Sequence, residues 1–137
     1  MNRIKDKLTE LGILIQELES IMPSNFKEYS SDLKERAACE RYFEKIVECI
    51  TDISFLIIKQ KKLGIPEEDK QSYDFLTTNN IITIDLSIKL KEAKGMRNIL
   101  AHDYGKVDDE LVFNSITSEI IADAREFIKQ IKHLNDK

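Results

Sequence analysis

From about Ser31 to Leu63 the chain keeps apolar residues at helical spacing without interruption. One stripe runs Cys39, Tyr42, Ile46, Cys49, Ile53 and Leu56, and a second beside it runs Phe43, Val47, Ile50 and Ile57. Steps of three and four residues line each stripe along one side of an α-helix. Two adjacent stripes leave a narrow polar strip, which includes Arg41, Lys45, Glu48, Asp52 and Lys59. Such a helix must be covered on two sides, so it is predicted to lie at the centre of the fold. Lys59 to Lys62 suits its C-terminus, where cations complement the helix dipole, and Gly64 with Pro66 is expected to close it.

The other segments read as the helices that cover it. Ile4, Leu8, Leu11, Ile15 and Leu18 predict a first helix from about Ile4 to Met22, broken by Pro23-Ser24-Asn25. "SYDFLTTNN" reads as a short helix. Another helix starts at about Thr83, with Leu86, Leu90, Ala93 and Leu100 inward. The last, from about Asp109 to Leu134, turns Phe113, Ile116, Ile120, Ala124, Phe127, Ile131 and Leu134 to the core. No strand alternation competes. The expectation is an all-α, antiparallel up-and-down bundle of four main helices plus a short one, forming a single domain over residues 1–137.

Composition narrows the function. A formal net charge of −4 argues against a broadly basic nucleic-acid coat, so any anion must be held by a local cluster. The N-terminal stretch carries charges throughout and reads as an amphipathic helix, not a signal peptide. "ISFLII", Ile53 to Ile58, is far too short to span a bilayer. Cys39 and Cys49, ten residues apart on one helix, stand roughly 15 Å apart along its axis. A disulfide needs Cα atoms within about 7 Å, so both read as reduced core thiols of a cytoplasmic protein. With two histidines in the chain and no Cys-x-x-Cys, no metal site is expected, and no cofactor.

One stretch resists a purely structural reading: "GMRNILAHDYG", Gly95 to Gly105. At about 100° per residue Arg97 and Tyr104 share a helix face, and Asn98 and His102 share a neighbouring one. Arg97 and His102 lie about 140° apart, so they converge only if the helix ends near His102 or a second subunit contributes. An imidazole titrating near neutrality can act as general base or acid, and a guanidinium grips phosphate oxygens in a fork. Together they suit metal-free RNA cleavage, with Asn98 orienting His102 or the phosphate and Tyr104 stacking a base. The structural alternatives are a helix-terminal His102, and an Arg97 paired with Glu48 or Asp52. Lys89, Lys91 and Lys94 read as a solvated face, with the steering of RNA as the alternative. Residue types and spacing alone leave the choice open.

These residues resemble the HepT-like HEPN toxins of bacteria and archaea, whose mark is Arg-x4-His-x-Tyr with a polar residue after the Arg. Here it reads Arg97-Asn98-Ile99-Leu100-Ala101-His102-Asp103-Tyr104. The Gly-x-Pro loop, the following short helix and the Glu-x3-Asp spacing of Glu48 and Asp52 are similar too, over about Leu33 to Phe113. The resemblance implies a dimeric helical bundle that brings two motifs to one cleft. It implies a metal-independent endoribonuclease toxin of a type VII-like toxin–antitoxin system, with Arg97 and His102 catalytic and Asn98, Glu48 and Asp52 in support. It further implies an MntA-like nucleotidyltransferase antitoxin that transfers AMP from ATP onto Tyr104, placing negative charge beside Arg97. A non-catalytic HEPN partner that presents nucleotide or substrate to a nucleotidyltransferase is the alternative.

Overall fold

A computed structural model describes residues 2–102 and 108–135, the side chains at 2, 102, 134 and 135 excepted. Among these residues every regular element is helical: α1 (Asn2–Ile21), α2 (Phe26–Ser31), α3 (Leu33–Lys61), α4 (Asp69–Thr78), α5 (Ile84–His102), α6 (Asp109–Asn114), a π-helical turn (Ser115–Glu119) and α7 (Ile120–Asn135). α3 is the axis of the bundle and packs against α1, α2, α4, α5, the π turn and α7. Its two predicted stripes are buried, with Tyr42 and Leu56 at the margins. The stripe of α1, Ile4 through Leu18, closes over one side, while Leu86 and Leu90 of α5 and Ile120, Ala124, Phe127 and Ile131 of α7 complete one continuous core.

Three details depart from expectation, each for a local reason. After Pro23 the chain forms α2, because Asn25 caps it by accepting from the Glu28 backbone N–H. Six residues offer too little periodicity to announce a helix. α2 seats the fully buried Tyr29, whose hydroxyl donates to Glu40 at 2.8 Å, and Arg36 reaches from Glu40 to Asp109 at the start of α6. α3 ends not at Gly64 but at Lys62, a lysine in the left-handed region (φ 56°), with the Leu63 N–H bonded to the Ile58 carbonyl. Gly64 is needed for a different reason. At φ 127° a Cβ there would stand 2.9 Å from the Phe75 ring.

The last expected helix is interrupted by the π turn. There the Thr117 and Ser118 hydroxyls donate back to the carbonyls of Phe113 and Asn114, a pattern that bends helices. Cys39 and Cys49 are buried free thiols, as expected. Burial pushes the first up to about 11 and the second up to about 12. No helix among the described residues is long and apolar enough to cross a membrane.

Ile53 is fully buried on α3, whereas Ile65 is 90% exposed in the following loop. Chemical denaturation should therefore show Ile53→Ala losing about 2–5 kcal/mol of stability. The same truncation at Ile65 should stay within about 0.5 kcal/mol.

Candidate functional site

The site is built on what α3 and α5 leave uncovered. Glu48 lies on the polar strip of α3, half-buried, and faces α5. Arg97 lies one turn and a half before the end of α5, and its Nη2 donates to Glu48 Oε1 at 2.8 Å. Its Nη1 makes a long contact to Asn98 Oδ1 at 3.5 Å, and its Nε is buried with no hydrogen-bond partner among the described residues. Glu48 thus grips the guanidinium by one nitrogen and orients it from the α3 side. The pair is only partly buried (23% and 40% exposed), so its worth in stability is small, roughly 0.2–1 kcal/mol. Its effect is on orientation.

Arg97 and Asn98 open onto a groove of about 520 Å³ between α5 and the first turn of α4. Glu68, Asp69 and Lys70 form its far wall and Lys94, one turn before Arg97, its floor. Lys94 is not the solvated residue expected from the sequence. It is 6% exposed and its Nζ lies 2.9 Å from Asp69 Oδ2. An ammonium is buried in this way only with a partner, and Asp69 supplies it. Lys89 is exposed as expected, while Lys91 pairs with Asp74. Lys70 escaped the sequence reading as a site residue, and Lys94 entered it only among three lysines that could steer RNA. The available signal was that Lys94 sits three residues before Arg97, on its side of the helix.

The expected residues do not all gather here. Arg97, Asn98 and Glu48 do. Asp52, one turn after Glu48, turns away to Lys7 at 3.4 Å and makes its ion pair there. It lines a smaller groove of about 210 Å³ between α1 and α3, together with Lys7, Glu10, Arg41, Lys45 and Glu48. Glu48 lines this smaller groove and is linked to the larger one through its ion pair with Arg97. His102 is the last residue of α5; its side chain and the whole of Tyr104 lie outside the described residues. Among the described residues no three His, Cys, Asp or Glu side chains are grouped to hold a metal ion.

A donor-rich groove at the end of a bundle helix carrying Arg-x4-His-x-Tyr has close counterparts. A sequence model of the family described as "Ribonuclease HepT-like" matches residues 12–131. The chain is similar to the mRNA nuclease HepT of Shewanella oneidensis, 36% identical over 89 residues, which are 65% of this chain and 66% of that protein. The fold is similar to that of a toxin–antitoxin crystallised with AMP-PNP, with a TM-score of 0.89 and 26% identity over 97% of this chain and 99% of the other. It is also similar to a tri-AMPylated Shewanella oneidensis HEPN toxin in complex with its MNT antitoxin, with a TM-score of 0.87 and 28% identity over 95% and 96% of the two chains. The chain, an all-α HEPN bundle, belongs to the ribonuclease HepT-like family.

Proposed function

We propose that this chain is a metal-independent endoribonuclease toxin of the cytoplasm, one domain that works as a homodimer. A minimal nucleotidyltransferase of the MntA type neutralises it by AMPylation of Tyr104. The observation that carries the reading is Arg97: a partly buried guanidinium, oriented by Glu48 from one side, on the lining of an open groove. The nuclease relative and the two toxin–antitoxin structures support the same reading.

In this mechanism the 2′-hydroxyl of one nucleotide attacks its own 3′-phosphorus. His102 takes the hydroxyl proton and an imidazole returns one to the departing 5′-oxygen, so the products are a 2′,3′-cyclic phosphate and a 5′-hydroxyl. Arg97 stabilises the charge of the phosphorane, where a preorganised donor contributes most. Asn98 at the groove mouth positions the phosphate, and Glu48 positions Arg97. Asp52 acts further out, holding α1 to α3 through Lys7.

An apolar face on α5 supports the homodimer. Ile84, Ile88 and Ile99 are exposed on it and, at about 100° per residue, fall within roughly 60° of one another. The helix register puts position 102 in line with Ile84. A second copy covering this apolar face would bring the position-102 ends of two motifs together across a two-fold axis. Buried reduced thiols at Cys39 and Cys49 suit the cytoplasm.

Purified protein should cut RNA in excess EDTA and leave 2′,3′-cyclic phosphate ends, as read by mass spectrometry of the fragments. Arg97→Ala and His102→Ala should each lower the rate by about 100-fold or more while the circular dichroism stays helical. Cleavage that stops in EDTA would refute the metal-free step. Co-expression with the cognate nucleotidyltransferase should add AMP-sized increments to the intact mass, and Tyr104→Phe should abolish them. Increments that survive in Tyr104→Phe would place the modification elsewhere.

A further inference from the structure

The groove beside Arg97 contains more hydrogen-bond donors than its own carboxylates satisfy. A lysine ammonium has three N–H donors and no acceptor. Among the described residues the ion-pair partner of Lys94 is Asp69 alone, through one oxygen. Arg97 Nε has no partner there. Lys70 leans across from α4, so close to the α5 backbone that a Cβ on Gly95 would stand 3.6 Å from its Nζ. Asn98 adds an amide at the mouth. Glu48 holds Arg97 from behind, and against Lys70 and Lys94 the groove wall sets Glu68 and Asp69.

We propose that this groove is a phosphodiester subsite, in which Lys70 and Lys94 hold the phosphate next to the one Arg97 faces. The proposal rests on the RNA-cleaving reading and extends it to where the strand runs. A volume of about 520 Å³ falls within the roughly 300–1,000 Å³ of small-ligand sites, enough for a nucleotide-sized unit. Lys94 and Arg97 are three residues apart, about 4.5 Å of helix rise.

Burial gives Lys94 its particular role. In the empty groove Asp69, with half its side chain exposed, keeps the ammonium paired. A phosphate entering the groove replaces that carboxylate with two or more oxygens and releases Asp69 to water. Asp69 is therefore a built-in competitor, and it keeps an acidic chain from holding RNA too tightly. The strand runs from the motif at the end of α5 back along the helix towards α4.

The test is equilibrium binding of a 2′-O-methyl oligoribonucleotide, which lacks the attacking hydroxyl and cannot be cleaved, followed by fluorescence anisotropy across a salt series. Lys70→Met and Lys94→Met should each flatten the slope of log affinity against log salt by about 0.7, the contribution of one phosphate contact on a single strand. Asp69→Asn should tighten binding several-fold at fixed salt, and adding Lys94→Met should cancel that gain. The gain cannot come from unfolding, so it protects the test from a merely destabilised variant. Lys132→Met, exposed near the end of α7, serves as control and should leave the slope unchanged. No binding at all, or lysine-variant slopes equal to the control with Asp69→Asn no tighter, overturns the proposal. Cleavage of RNA with unchanged slopes removes the subsite alone; the expected slopes without any cleavage remove the nuclease reading and leave the subsite.

Discussion

An α-helix with apolar residues on two adjacent faces cannot rest at the edge of a protein, and α3 is such a helix. Water excluded from both stripes is the main stabilising term available to a chain of this size. It can be gained only by laying α1 on one side and α5 and α7 on the other. What remains of α3 for charged residues is a narrow strip. Glu48 and Asp52, one turn apart on it, therefore meet different neighbours: Glu48 reaches Arg97 on α5, and Asp52 reaches Lys7 on α1. The candidate site forms at the margin of the core, where the polar strip of α3 presents Glu48 to α5.

The electrostatics around that margin orient more than they stabilise. Arg97–Glu48 and Lys94–Asp69 each set one half-exposed carboxylate against a better-buried cation, a geometry in which Coulomb attraction and desolvation nearly cancel. Such pairs hold cationic side chains in fixed poses on the groove. A second polar cluster does comparable work at the start of α6. There Tyr29, Glu40 and Arg36 anchor Asp109, the first residue of α6, while the Phe113 ring packs against Tyr29 in a tilted arrangement at 5.2 Å between centroids. The end of α5 and the start of α6 are thus each tied to α3.

Most of the architecture was legible because burial imposes a period. The inward residues predicted for α1, α3 and the last helix are core residues wherever they are described. Features that do not repeat were harder to read. α2 is six residues long, too short to show a stripe. The αL cap at Lys62 depends on a backbone conformation that lysine seldom adopts, so the nearby Gly64 drew attention instead. The π turn leaves no mark in composition; it shifts the register within a run that is apolar either way. In the site, Arg97, Asn98 and Glu48 were named from residue type and spacing, and the structure brings them together. Lys94 was assigned to solvent, because a lysine read singly is usually exposed.

The sequence by itself determined which residues must leave water, and hence an all-helical bundle with α3 at its centre. It also determined which side-chain types gather near the end of α5, since Arg-x4-His-x-Tyr is a pattern of residue types. Which carboxylate holds which cation was decided only by the tertiary structure. Glu48 and Asp52 are equivalent on paper, one turn apart and alike in charge. The helix that happens to lie above each of them settles their partners, and those helices are distant in sequence. The same holds for the groove: Lys70 on α4 and Lys94 on α5 come to share it only when both helices pack against α3.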